Sequence, residues 1–262
     1  MTNSKNFLFK VLKVALISLF WILIWQIISL ILDMPLLFPG PISVFKRLLE
    51  LIITKEFIIS SLSSLLRIFL GIIVATILGT VLAVLCSLSK IIHNVFYPIL
   101  TIIKSTPVVS FVLIIWLFIG EQRTPIIITI MMMLPIVWAS VYQGIKNVDK
   151  DLLEVASIFK IPFKKQLFSL YMPSVMPYFI SALLSGIGLS WKAGIAAEVL
   201  CSPKWSIGEA IFNAKYDFNG VDLFAWTVTV IILSLIFELI STLLLKKLVK
   251  KYISSKGAQN GN

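Results

Sequence analysis

Charge is scarce in this chain. Of its 262 residues only 13% are charged and 12 are acidic, while 59% are hydrophobic, a balance that excludes a water-soluble globular domain. Histidine occurs once, at His93, and cysteine twice, at Cys86 and Cys201. No Cys, His and acid cluster falls at ligand spacing, so no metal site is expected. A phosphate loop is also lacking. The nearest match, Gly186 to Lys192, carries Trp191 where the second glycine is needed, so the chain is not expected to hydrolyse ATP. Nucleophiles and bases that could converge on a substrate are lacking too, and no catalytic residue is expected.

What the chain has instead is apolar length. Mean hydropathy is +1.02, and six stretches match the roughly 20 residues a helix needs to cross a hydrocarbon core. They are Val11 to Leu32, Ile68 to Ser87, Val95 to Ile119, Pro125 to Val141, Val175 to Ala197 and Leu223 to Leu245. The first follows Lys5, Lys10 and Lys13 as a signal peptide would, but it is too long for a cleavable core and no Ala-x-Ala site follows, so a retained helix is expected. With the amino terminus inside, six crossings bring both termini to the cytoplasm. Lys5, Lys10, Lys13, Lys90, Lys146, Lys150, Lys160, Lys164, Lys165, Lys246, Lys247, Lys250, Lys251 and Lys256 then all lie inside, 14 of the 23 basic residues. Topology and lipid headgroups thus account for the net charge of +11 without a nucleic-acid partner. Cys86 and Cys201 fall near opposite faces of the bilayer, which argues against a disulfide.

After the first run, Pro35, Pro39, Gly40 and Pro41 break the helix. Ile42 to Ser64 resumes at helical spacing with charges interleaved, which reads as an amphipathic helix on the outer surface. Gly71, Ala75, Gly79 and Ala83 recur every four residues, a ridge along which another helix approaches closely. Pro98 and Pro107 interrupt the third run and place it inside the bundle. In the fifth, Ala182, Gly186, Ser190, Gly194 and Glu198 share one face, and Lys192 points away from it. Lys104 and Lys192 are cations inside apolar runs, where charge is costly unless it meets a cavity or a partner. Arg67 and Glu238 read as structural.

Between the fourth and fifth runs lies a polar, basic, proline-containing segment. It reads Glu154-Val155-Ala156, then Lys160, then Leu170-Tyr171-Met172-Pro173. Asp149, Asp151 and Glu154 favour a helix start, Pro162 breaks that helix, and a second one is expected from Phe163 to Pro173. Val155, Ile158, Phe159 and Phe163 are then free to fill a partner's groove.

This spacing resembles the cytoplasmic loop by which permease subunits of ABC importers grip their ATPase: Glu-Ala-Ala, three residues, Gly, nine residues, then Ile, any residue, Leu-Pro. Every interval is kept, and Lys160 stands in place of the glycine. Pro39 to Val44, Ser61 to Gly71 and Leu189 to Glu198 resemble the nitrate, sulfonate and taurine branch of this binding-protein-dependent family of inner-membrane components, and the resemblance extends to about Leu245.

The resemblance implies an all-α integral membrane protein of about six transmembrane helices with a cytoplasmic coupling-helix loop. One permease domain is expected over 1–253, with the coupling loop at about 146–173 and a disordered polar tail at 254–262. Glu154, Val155, Ala156, Phe159, Lys160, Pro162 and Pro173 are the expected ATPase-coupling residues. Lys104, Trp191, Lys192 and Glu198 are the candidates for a transport pathway. Implied partners are an ABC ATPase that uses the ATP, an extracytoplasmic solute-binding protein, a second permease copy and membrane lipid, with no cofactor in this chain. The cargo implied is a small solute such as a sulfonate, nitrate or vitamin precursor, and the two buried-run lysines tilt it toward an anion. The alternative, an ion-coupled secondary transporter, needs acids within its spans. Only Glu198 and Glu238 come near, each close to an end.

Overall fold

The computed structural model describes the backbone of residues 2–259 and the side chains of 12–243 with Phe9, Leu245 and Lys247. Its elements are α1 (Thr2–Leu32), α2 (Pro41–Ile52), α3 (Lys55–Leu88), α4 (Lys90–Ser105), α5 (Val108–Ile119) and α6 (Thr124–Lys146), then α7 (Lys150–Ile158), α8 (Phe163–Gln166), a π-helical turn (Leu167–Tyr171), α9 (Met172–Cys201), α10 (Ile207–Tyr216) and α11 (Gly220–Gln259). No strand occurs among the described residues. Five helices are long and apolar enough to cross a membrane, and the bent pair α4–α5 makes a sixth.

The core is α6, held between α3 and α9. Both small-residue ridges serve that purpose. Thr129 of α6 is pinched between Gly71 of α3 and Gly194 of α9, where an added Cβ would lie 2.8 Å from Thr129 Cβ and 2.9 Å from its Oγ1. Only glycine lets both helices come so near. Thr129 turns its hydroxyl inward, donating to the Pro125 carbonyl at 2.7 Å, so no polar group is stranded.

Several expected boundaries shift. The amphipathic segment is shorter than Ile42 to Ser64: α2 ends at Ile52, and Thr54 starts α3 by accepting the Phe57 N–H, with Glu56 in the first turn. The third run is no straight crossing. Its halves meet at 108°, because Pro107 forces Thr106 out of helical geometry (φ −85°, ψ 136°). The fifth span starts early, since Pro173 does not end the second loop helix. The π turn carries it on, with the Met172 N–H donating to the Leu167 carbonyl, and Pro173 falls in the first turn of α9, where a proline is tolerated.

Helix α10 is an element the hydropathy pattern does not reveal. The backbone of α11 is helical to Gln259. Asn260 to Asn262 lie outside the described residues, as do the side chains of Lys5, Lys10, Lys246, Lys250, Lys251 and Lys256.

Helix α1 stands apart, exposed from Leu12 to Leu23. Among the described residues its attachment is near the C-terminal end, where Trp25 Nε1 donates to the Pro39 carbonyl (3.1 Å), Ser29 donates to the Phe38 carbonyl (3.1 Å), and the Trp25 ring stacks on Phe224. Arg47 of α2 makes a two-pronged pair with Asp222 of α11, fastening the same corner. Cys86 and Cys201 are free thiols, both buried.

Candidate functional site

The loop between α6 and α9 folds as a compact knob. Asp149 caps α7, accepting the Asp151 N–H at 2.9 Å. The helix ends in a Schellman turn, in which the Ile161 N–H donates to the Ala156 carbonyl (2.9 Å) and the Lys160 N–H to the Ser157 carbonyl (3.0 Å). Lys160 is left-handed, at φ 51°. It therefore adopts the angle that glycine reaches freely and a lysine reaches under strain. Pro162 then caps α8, and Gln166 Nε2 donates back to the Ile161 carbonyl at 2.7 Å. Ala156 is buried at the hinge, whereas Glu154, Val155, Phe159 and Pro162 are exposed.

Ile158, Phe159 and Phe163 are 70%, 74% and 66% exposed, an apolar tip rimmed by Glu154, Lys164 and Lys165. Its root is fixed: Asn147 Nδ2 donates to the Tyr178 hydroxyl at 2.7 Å, and Gly144 of α6 lies against Val175 of α9. The knob is thereby tied to the ends of α6 and α9.

At the other end of α9 the structure separates the residues expected to line a pathway. Glu198 is fully buried. Its carboxylate accepts from Arg67 Nη1 and from the Ser64 hydroxyl, each at 2.6 Å, and faces the Gly208 N–H at 3.5 Å. The Ser64 oxygen in turn accepts the Ile207 N–H at 2.9 Å, so the acid and the serine together hold the start of α10. Trp191 is buried as well, its ring 5.9 Å from Phe237. Lys192 lies on the opposite, exposed face, in line with Ser181, Ser185 and Gly188, and a Cβ on Gly188 would meet nothing within 4 Å. Lys104 is exposed in the last turn of α4, beside the bend. Neither lysine enters an ion pair among the described residues.

Residues 68–250 match the family described as binding-protein-dependent transport system inner membrane component. The chain belongs to that family. It is a multi-pass membrane permease of the nitrate, sulfonate and taurine type, not an enzyme. The permease is 26% identical to the nitrate import permease NrtB of Synechocystis over 76% of each chain. It is 24% identical to the taurine transport system permease TauC of Escherichia coli, over 82% of this chain and 80% of that one. It is 28% identical to the bicarbonate transport system permease CmpB of Synechococcus elongatus, over 77% of this chain and 76% of the relative. A crystal structure of an amino acid ABC transporter superimposes with a TM-score of 0.57 at 17% identity, covering 72% of this chain and 90% of that one, a likeness of fold.

Two features of the permease were not legible in its sequence as parts of a site. Arg67 reads as a structural charge, and its partner lies 131 residues away. The signal available was Ser64 and Arg67 three residues apart on one helical face, at the end of the serine-rich stretch Ser60-Ser61-Leu62-Ser63-Ser64. Helix α10 carries no long apolar period, and its one local signal was Ser206 three residues before Glu209, where the Ser206 hydroxyl accepts the Glu209 N–H at 2.9 Å.

Proposed function

We propose that this permease translocates a small anionic solute, such as a sulfonate or nitrate, by alternating access, driven by a separate ATPase that seats on the knob. The observation that carries this reading is the knob itself: exposed aromatic and aliphatic side chains at the tip of a loop that is hydrogen-bonded to both central helices. An apolar tip of this kind gains most by entering a groove on a partner. ATP is used by that partner, and an extracytoplasmic binding protein delivers the cargo to the opposite face. In this reading two copies of the permease face each other, and both termini are cytoplasmic.

The exposed face of α9 supports the anion. Ser181, Ser185, Gly188 and Lys192 make a polar, small-sided strip on a helix of membrane-spanning length, and such a strip is poorly matched to lipid. Facing a water-filled path, its lysine offsets a negative cargo. Relatives named for nitrate, taurine and bicarbonate transport carry anionic groups, in keeping with this assignment.

The test is reconstitution with the ATPase and binding protein, followed by uptake of each labelled anion. Glu154→Lys is expected to abolish ATP-driven uptake and co-purification of the ATPase, while membrane abundance holds. Unchanged uptake and an intact complex would remove the docking assignment. For orientation, a cysteine at Ser157 should react with an impermeant thiol reagent only from the cytoplasmic side, and one at Tyr216 only from outside.

A further inference from the structure

Under α2 a groove of about 480 Å³ runs between α1, α2 and α11. Ile22 and Trp25 of α1, Phe45 and Leu49 of α2 and Val228 of α11 wall it, and Lys46 stands on its rim. At 1.5 Å per residue, Val228 lies about 12 Å below the outer start of α11, and Ile22 about 15 Å below the outer end of α1. The walls therefore descend from the interface into the hydrocarbon. Below them α1 leaves the bundle and is exposed from Leu12 to Leu23, so the groove opens into the acyl region of the outer leaflet.

We infer that this groove holds one acyl chain of an anionic phospholipid whose phosphate sits at Lys46. Three observations carry it. The walls are apolar, so water fills the space poorly and a hydrocarbon chain fills it well. The rim is positive and available: the neighbouring Arg47 is engaged by Asp222 and Glu50, whereas Lys46 enters no ion pair among the described residues. The upper end carries Trp25, with its indole N–H turned to the Pro39 carbonyl, an arrangement suited to the headgroup boundary. A lipid there would also brace α1, which is exposed from Leu12 to Leu23.

The test uses the full chain in nanodiscs doped with phosphatidylglycerol or phosphatidylcholine bearing a photoreactive group on the acyl chain, with labelled peptides mapped by mass spectrometry. Labelling is expected to concentrate on the peptides holding Ile22 and Val228, and to exceed that on the apolar face of α3 at Leu66 and Ile77. Val228→Trp fills the groove and should abolish the excess. Lys46→Gln, at an exposed position that leaves the walls intact, should lower the preference for phosphatidylglycerol about fivefold, the worth of one lysine at a membrane surface. Even labelling of both faces, or a headgroup preference untouched in Lys46→Gln, overturns the proposal. So does cross-linking of a cysteine at Phe45 to a second copy in place of lipid, which would make the groove an interface between protomers.

Discussion

Arg67 reaches Glu198 at 2.6 Å across 131 residues of sequence, and with Ser64 this pair joins α3, the C-terminal end of α9 and the start of α10. Glu198 is fully buried, and the Arg67 side chain is 11% exposed with its Nη2 donating to the Lys204 carbonyl at the surface, so the acid has left water and the guanidinium largely has. Desolvation offsets most of the attraction in such a pair. Its consequence is registry: the buried Glu198 carboxylate is satisfied only where Ser64 and Arg67 of α3 are brought to it. The C-terminal end of α9 is thereby locked, while its exposed Lys192 face is left for other contacts.

Arg67→Met would strand the Glu198 charge and is expected to destabilise the permease by about 3 to 5 kcal/mol. The melting temperature in detergent and the amount in membranes should both fall. Arg67→Met combined with Glu198→Met removes the stranded charge and should recover much of the loss. A single variant that melts like the parent would show that the joint carries no weight.

Gly208 is the tightest approach in the same joint. A Cβ there would collide with Glu198, including its backbone carbonyl carbon, which cannot swing aside. Gly208→Ala should lower the melting temperature markedly. Gly188→Ala is the contrast, because that position is open and alanine favours helix by about 1 kcal/mol. Equal melting of the two variants would contradict the packing described at α10.

Lys160 occupies a left-handed position at the end of α7. Such a conformation costs a side-chain-bearing residue about 1 to 2 kcal/mol, and glycine nearly nothing. Lys160→Gly should tighten the knob and retain the ATPase, whereas Lys160→Val, β-branched, should loosen it and release the partner. Hydrogen exchange across Ala156 to Gln166, with co-purification, reads both effects. Faster exchange in Lys160→Gly than in the parent would refute the turn.

Lys192 is exposed and unpaired among the described residues, so its removal strands no partner. Lys192→Met should reach the membrane in normal amounts while cargo-stimulated ATP hydrolysis falls, since the apolar stem is kept and the charge is lost. Loss of the protein itself would mean that the lysine serves folding instead. Normal stimulated turnover would take it out of the pathway.

Much of this was readable from composition and spacing. Apolar length dictates spanning helices, because a backbone in hydrocarbon must satisfy its own hydrogen bonds. The four-residue recurrence of small side chains in α3 and α9 marked the two faces that close on α6, since close approach needs small residues at helical period. The knob was legible because the acids at its helix start and the proline that breaks it are local signals, set by residues within a few positions of each other.

Only the tertiary structure decided which charges meet. Sequence places Glu198 on the same helical face as Gly194, yet cannot say that Arg67 comes to it, because burial of an ion pair depends on two helices chosen by packing elsewhere. For the same reason Trp191 and Lys192, neighbours in sequence, part company: one enters the core against Phe237 and the other stays outside. The continuation of α9 through the π turn and the groove beside α1 likewise depend on how separate helices share space, and hydropathy along one chain carries no record of that.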